Sequence, residues 1–520
     1  MINKILSNRI YIVFIIPFIL GLLTVFSFQP FNISFINFIL VPVLFLILVY
    51  VNKKSKNIYR KKPYLSNLFF VGYLFGIGYF ASGVYWISYS LTYDENFKYL
   101  IPFALIGIPM FLGIFFGLAT LSIGALIKNN IVSIFIFCSS FSLADFFRSK
   151  LLSGFPWNLW AYSWSWLPES LQALKIVGLY GFNLIVLTIF CSPVLLIKYK
   201  KKYNFIFVFF LIIIFISNYL YGSAIINKND RNIKALYKDN NNLINVKIVS
   251  PNIDLKYNLS FDEVKESLKK LIKYSDPDKN KKTIFIWPEG VFTGYTFEEI
   301  SQFKNLIREN FTNDHSIIFG INTSTSNAKN FNSLIMINNN FEVLYQYNKR
   351  KLVPFGEFLP VEKFFNKFGL KKITQGFTSF AKGKKQDNLI FDNYNILPLI
   401  CYEIIFPELI ENASNETNLI INISEDAWFG GSIGPFQHFS KSIFRAIESD
   451  TFLIRSANQG ISAFVNNKGV VIKSLEAHER GHIELNVPLI KKNTRQKKDL
   501  IFLLLLFTYT FIFFTLRNKL

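Results

Sequence analysis

Apolar residues in this 520-residue chain are gathered into two zones. The first 225 residues and the last 20 hold runs of about 18 or more apolar residues, long enough to cross a ~30 Å hydrocarbon core. Residues 226–497 are polar and mixed, with short β-branched runs. A hydrophobic share of 51% and an aromatic share of 18% are too apolar for a soluble enzyme of this length. The pattern predicts a transmembrane helical domain over 1–225 with seven spans, a globular domain over 226–497 and a C-terminal anchor over 498–520.

The eight spans are expected near 9–27, 33–51, 68–90, 99–127, 131–147, 170–196, 204–222 and 499–516. The first is too long for the apolar core of a signal peptide and is followed by further spans, so it reads as a retained helix. Positive residues orient the set. Lys4 and Arg9 precede the first span, Lys53, Lys54, Lys56, Arg60, Lys61 and Lys62 follow the second, and Lys198, Lys200, Lys201 and Lys202 follow the sixth. Arg517 and Lys519 end the chain. With eight spans all of these fall on one side, the cytoplasm, which places residues 226–497 outside it. Outer loops such as Tyr93-Asp94-Glu95-Asn96 and Trp157-Asn158-Leu159-Trp160 carry little positive charge.

A net charge of +22 would suit a nucleic-acid partner in a cytoplasmic protein. Here part of the excess is the topological signal, and the rest lies on an exported domain where nucleic acid is absent. Anionic lipid head groups are the better partner. His478 and His482 have helical spacing, but no cysteine or carboxylate cluster accompanies them, so no metal is expected. No Gly-rich phosphate loop is present, and no cofactor is expected.

Within 226–497, a polar linker from Asn227 to Asn242 precedes alternating strand-like and helix-like segments. Strands are expected at 244–249, 283–287, 316–320, 332–338, 342–347, 395–400, 418–424, 452–457, 461–465, 469–474 and 481–486. Helices are expected at 261–274, 297–309, 403–413 and 436–450. Interleaving at this spacing argues for a layered α/β fold. Three reactive residues fall at or just past the C-terminal ends of strands, where such folds expose side chains to a cleft. They are Glu289 in Trp287-Pro288-Glu289-Gly290, Lys349 in Tyr347-Asn348-Lys349, and Cys401 in Leu399-Ile400-Cys401-Tyr402-Glu403. Cys138 and Cys191 lie in apolar spans, so Cys401 is the lone thiol of the polar part. The commoner fate of such a thiol is burial in a core. A carboxylate, an ammonium and a thiol beyond strand ends are nevertheless the parts of a cysteine acyl-transfer centre. A helix starting at 403 would lower the thiol pKa through its N–H groups.

These motifs resemble the Glu-Lys-Cys triad of the nitrilase superfamily. Lys351-Leu352-Val353-Pro354-Phe355-Gly356-Glu357-Phe358-Leu359-Pro360 and Asp426-Ala427-Trp428-Phe429-Gly430 are similar, more closely, to the apolipoprotein N-acyltransferases, bacterial inner-membrane enzymes. Arg148 followed by Gly154-Phe155-Pro156-Trp157 resembles that family's loop after its fifth span. The resemblance implies an αββα sandwich on the periplasmic side, a membrane phospholipid as acyl donor and a diacylglyceryl apolipoprotein as acceptor. It implies Glu289 as base, Lys349 as oxyanion donor with a backbone N–H near Tyr402, and Cys401 as nucleophile. Glu357 and Glu403 match further functional glutamates of the family. An exposed charge is the usual fate of the first, and a first-turn glutamate favoured by the helix dipole would explain the second. Two positions depart: Glu425 stands where the family usually has asparagine, and Tyr257 near a common tryptophan. Tyr257 and Trp428 are expected at the substrate.

Beyond Glu357, Phe364, Phe365 and Phe368 interleave with lysines between 363 and 385. The pattern fits a packed amphipathic helix or a lid that dips rings into a bilayer. Competing functions are a membrane-tethered nitrilase-type amidase, for which eight spans have no use, and a transporter with a ligand-binding domain. A transporter would place charges at mid-membrane and would leave the triad unexplained. A non-catalytic homologue would not keep the triad.

Overall fold

The computed structural model describes residues 8–58, 63–198, 202–238, 243–326, 329–360, 379–490 and 498–518. It divides into two units, Met1–Ser88 with Tyr99–Ile225 and Lys497–Leu520, and Tyr89–Lys98 with Ile226–Gln496. The outer loop at 89–98, inside the first sequence block, thus groups with the second unit.

Among the described residues, eight helices are long and apolar enough to cross a membrane: Ile10–Ser27, Ser34–Lys54, Leu65–Gly83, Glu95–Gly124, Ile131–Lys150, Leu174–Ile197, Lys202–Lys238 and Lys498–Leu516. A helix pairs every backbone group within itself, which hydrocarbon demands. Rings and branched chains such as Phe209, Phe210, Ile213 and Leu220 stay exposed on the seventh helix, as a lipid-facing surface requires. Inside the first unit lies a buried polar cluster. Arg148 Nη2 meets Asp145 at 2.8 Å, and Asn183 donates to the other Asp145 oxygen at 3.1 Å. Arg148 also donates to the carbonyls of Phe155 and Asn158, fixing the loop that follows the fifth helix.

One expectation fails at the end of this unit. The segment from Asn227 was expected as a linker, but the seventh helix continues to Lys238. Its Asn, Lys and Asp residues lie in the last three turns of an established helix, where elongation adds a hydrogen bond per residue without a new nucleation cost. Residues 239–242 lie outside the described set.

The second unit is a pair of six-stranded sheets. One has the order β12-β1-β2-β3-β4-β5 and the other β11-β10-β9-β8-β7-β6. In chain order the strands are β1 Leu243–Ser250, β2 Thr283–Ile286, β3 His315–Ser324, β4 Asn330–Asn338, β5 Val343–Asn348 and β6 Leu389–Phe391. They continue with β7 Tyr394–Ile400, β8 Leu419–Glu425, β9 Phe452–Asn458, β10 Ser462–Val465, β11 Val471–Leu475 and β12 Gly481–Pro488. The central trios β1-β2-β3 and β7-β8-β9 are parallel, and antiparallel strands flank them. Strand alternation makes two cores. Ile284 and Ile286 of β2 join Ile396, Ile400, Ile421 and Ile454 between the sheets. Phe285 and Trp287 face the other way, onto α1 (Phe261–Ser275) and α2 (Lys304–Asn310) through Leu268, Leu271 and Ile307. Helix α1 opens on a Ser260/Glu263 capping box. Helix α3, Gly434–Ser449, packs on β9 of the second sheet. This is the αββα sandwich the resemblance implies.

Three local expectations are corrected. The helix at 297–309 is interrupted by a 3-10 turn at Ser301–Phe303. The helix at 403–413 is a 3-10 turn over Cys401–Ile405 and a one-turn helix over Pro407–Glu411. Pro407 biases Phe406 to extended backbone, and Phe406 takes φ −94°, ψ 107°. His478 sits at a turn with φ +66° and His482 on β12, so their spacing is not helical.

Candidate active site

Lys349 and Cys401 follow β5 and β7 directly, and Glu289 comes just past β2, after Trp287 and Pro288. All three are buried, with exposures of 7%, 1% and 8%. The Lys349 ammonium lies 3.4 Å from Glu289 Oε1 and 2.9 Å from Glu357 Oε1. Asn332 on β4 donates at 2.7 Å to both of those oxygens. The second Glu357 oxygen accepts from Val353 N at 2.8 Å, and that of Glu289 accepts from Glu425 N at 3.0 Å. Glu357 is therefore buried and paired with Lys349, not a solvated surface charge.

Two glycines let these elements close in. A side chain at Gly320 of β3 would strike the Glu289 Cα at 2.8 Å. Gly290 takes φ +75°, and a Cβ there would meet Glu425 Oε2 at 2.6 Å.

Burial opposes charge on Lys349, but Glu289, Glu357 and Cys401 together hold its ammonium well above the usual lysine range. Burial pushes the Cys401 thiol up, the Glu289 charge pushes it further, and Lys349 opposes them only in part. The expected acidifying helix N-terminus is absent, since only a 3-10 turn follows Cys401. The thiol keeps its proton at rest and needs a base to lose it. Cys401 also holds φ +47°, in the left-handed region that side chains disfavour.

Glu403 ties the site together. Its Oε1 accepts from Arg350 N at 2.7 Å and Lys351 N at 3.1 Å, and its Oε2 from Ile400 N at 2.9 Å. The Tyr347 hydroxyl donates to the same carboxylate at 2.9 and 3.0 Å. One buried side chain thus joins the segment after β5 to the turn carrying Cys401. The helix-dipole explanation for this glutamate fails with the helix.

The chain's residues 20–192 match the apolipoprotein N-acyltransferase N-terminal domain family, and 249–492 match the carbon-nitrogen hydrolase family. The apolipoprotein N-acyltransferase of Rickettsia prowazekii is 33% identical over 485 residues, covering 91% of this chain and 92% of that protein. Its counterpart from Rhizobium leguminosarum bv. trifolii is 30% identical over 431 residues, covering 81% and 80%. The chain belongs to the apolipoprotein N-acyltransferase family. Among solved structures, a CN-hydrolase superfamily protein from Xanthomonas campestris matches at 15% identity with a TM-score of 0.35, covering 47% of this chain and 90% of that one. An amidase from Nesterenkonia matches at 15% identity and a TM-score of 0.34, covering 48% and 91%.

Other candidate residues of this N-acyltransferase family member gather on the adjacent loops. Half-buried Trp428 has Tyr257 at 6.2 Å and Tyr93 at 5.6 Å between ring centroids. The Tyr93 hydroxyl donates to Ala427 O at 2.5 Å. Burial, with the charges of Glu425 and Asp254, pushes that hydroxyl up to about 12. Tyr402 is buried, with its ring 5.0 Å from Phe406. Phe364, Phe365 and Phe368 lie outside the described residues. Among the described residues, no group of three His, Cys, Asp or Glu is placed to hold a metal.

Sequence reading missed Asn332, which bridges the two glutamates, and Asn458, which donates to both Glu425 oxygens at 2.9 and 3.0 Å. Their only signal was asparagine within a strand, a residue type depleted there.

Proposed function

We propose that this enzyme moves a fatty acyl chain from a membrane phospholipid to the N-terminal α-amine of a diacylglyceryl-cysteine lipoprotein, through a thioester on Cys401. The observation that carries the chemistry is one buried ammonium, Lys349, between two carboxylates beside the lone thiol of this unit. Glu289 takes the thiol proton as sulfur attacks the donor's ester carbonyl. Negative charge develops on the carbonyl oxygen, where the Lys349 ammonium and an N–H near Tyr402 receive it. The C–O bond breaks, the lysophospholipid leaves with the proton from Glu289, and the acyl group stays on sulfur. In the second half the acceptor amine attacks the thioester, Glu289 takes its proton, and the C–S bond breaks. The proton then returns to the Cys401 sulfur.

Glu357 keeps Lys349 charged and aimed, and Glu403 holds the nucleophile turn in register with the lysine segment. Tyr257 and Trp428 line the substrate approach, and the apolar rings of Phe364, Phe365 and Phe368 suit contact with the bilayer. The working unit is 226–497, between spans over 1–225 and 498–520, in the bacterial inner membrane and facing the periplasm. Neither the amidase nor the transporter alternative gains support from any observation.

Incubation of the purified protein with phospholipid, followed by mass spectrometry, should show a fatty acyl adduct on Cys401. The Cys401→Ala variant should show neither adduct nor transfer. Robust turnover by that variant would remove Cys401 from the nucleophile role. A periplasm-dependent reporter fused after Asn227 should be active and one after Lys54 silent, and the reverse pattern would end the lipoprotein reading.

A further inference from the structure

The buried groups behind Cys401 have no part in the scheme so far. Strand β8 runs parallel to β7 with Ile400 opposite Ile423, so the next residues of each strand, Cys401 and Ser424, meet at the same sheet end. Ser424 is fully buried, its hydroxyl donates to Asp426 Oδ1 at 2.6 Å, and from the neighbouring strand end it favours the ionised form of the Cys401 thiol. Asp426 does not depend on that proton. Arg455 Nη2 donates to its two oxygens at 2.8 and 3.0 Å, and His438 Nδ1 sits 3.0 Å from Oδ1. Arg455 is anchored in turn on the Asn422 side-chain oxygen. Burial works against the Asp426 charge, but Arg455 and His438 hold its carboxyl well below the usual range.

A serine hydroxyl has one proton and can give it to one acceptor at a time. While Cys401 is a thiol, ionised Asp426 is the stronger acceptor. Once the thiol is deprotonated, its sulfur is a buried anion that a hydrogen-bond donor would stabilise, and Asp426 keeps its Arg455 contacts. We propose that the Ser424 hydroxyl is a two-position donor, bonded to Asp426 at rest and turned to the Cys401 sulfur when that sulfur carries negative charge. Only the O–H bond rotates, and no covalent bond forms or breaks. The same turn would assist the sulfur twice, at its attack on the donor and as it leaves the thioester. Ser424 thus acts directly on the reacting sulfur, and the assignment rests on the Cys401 nucleophile reading.

The test is the pH profile of Cys401 alkylation by iodoacetamide, read by peptide mass mapping on the full-length protein in detergent. The charged and titratable groups facing Cys401 are Glu289, Lys349 and Asp426. All three are kept in the Ser424 variants, so a difference between variants reports the hydroxyl. Ser424→Ala should alkylate about tenfold more slowly near neutral pH, with its profile displaced upward by about one unit. Ser424→Thr should retain the native profile. Superimposable profiles for the native enzyme and Ser424→Ala would overturn the proposal. So would a folded Ser424→Thr with the displaced profile expected of alanine. If alanine fails to fold, Ser424→Cys, a weaker donor, should fall between native and displaced, and a native profile there counts against the proposal. Alkylation reads the free Cys401 thiolate whether or not that thiol is the group acylated during turnover. Failure of the nucleophile reading would appear separately, as transfer by Cys401→Ala.

Discussion

Each unit buries a cation against carboxylate, and the two clusters are built to different charge balances. In the membrane unit one Arg148 faces one Asp145, with Asn183 and the Phe155 and Asn158 carbonyls completing the set. In the sandwich, one Lys349 faces Glu289 and Glu357, with a thiol beside them. The first cluster is neutral and joins a helix to the loop after it. The second has one negative charge more than it can neutralise, in a setting of low dielectric where that is costly. Such an excess of negative charge suits the role of base proposed for Glu289. Uncompensated buried charge, more than buried charge as such, marks the chemistry.

The sharpest way to break this comparison is to delete each cation. Lys349→Met should lower acyl transfer per folded molecule by about two orders of magnitude or more, the usual result of losing one oxyanion donor. It should also cost stability, because two buried carboxylates lose their cation. Arg148→Met should cost about 3–5 kcal/mol of stability, as when one partner of a buried pair is removed. The protein that remains folded should transfer at a near-native rate. Rate per folded molecule, set against thermal denaturation in detergent, separates the two. Equal losses of specific activity would show that the balance of charge does not distinguish the clusters.

A smaller effect sharpens it. Burial, helped by the neighbouring charges of Glu289 and Asp426 and opposed by the bonds from Asn458 and Ala427, holds the Glu425 carboxyl well above the usual range and so favours its protonated form. In the unfolded chain it ionises near 4.5. As pH rises past that value the unfolded state releases a proton that the native state keeps, so this group's contribution to stability falls with rising pH. Glu425→Gln should remove that slope, so its melting temperature relative to the native enzyme should rise from about pH 5 to pH 8. A parallel pH dependence in both proteins would show that Glu425 is ionised in the native state. The smallest change is Tyr93→Phe, which removes one hydrogen bond to Ala427 O. It should cost about 0.5–1.5 kcal/mol of stability and leave the alkylation rate of Cys401 unchanged.

The fold was legible where a single local rule governs. Apolar runs gave all eight helices, and β-branched runs ending at Trp287, Tyr347 and Ile400 located the strands that carry the three reactive residues. The local rule failed where the composition changes without a change of state, as at Asn227, where a polar stretch simply prolongs a helix. It failed again at 403–413, where Pro407 outweighs a helical pattern. The supporting site was less visible still. Asn332 and Glu289 lie 43 residues apart, and Glu425 and Glu289 136 apart. Which polar residue meets which is decided by strand register across a sheet or between two sheets, and no short window of sequence contains that information. Glu425 was noticed only as a departure from its family. Its meaning came from Gly290, Asn458 and Ala427, which enclose it.

The left-handed backbone at Cys401 has a consequence for inheritance. A side chain held there costs about 1–3 kcal/mol, a sum that selection must keep meeting for as long as the thiol is wanted. Cys401→Gly would relieve that strain, set against the loss of a side chain packed in the core between the sheets. If Cys401 is the nucleophile proposed above, a lineage freed from the need for this reaction would face no barrier of strain in moving to glycine at 401. A decayed descendant would then be recognised by a backbone that has relaxed at that one position.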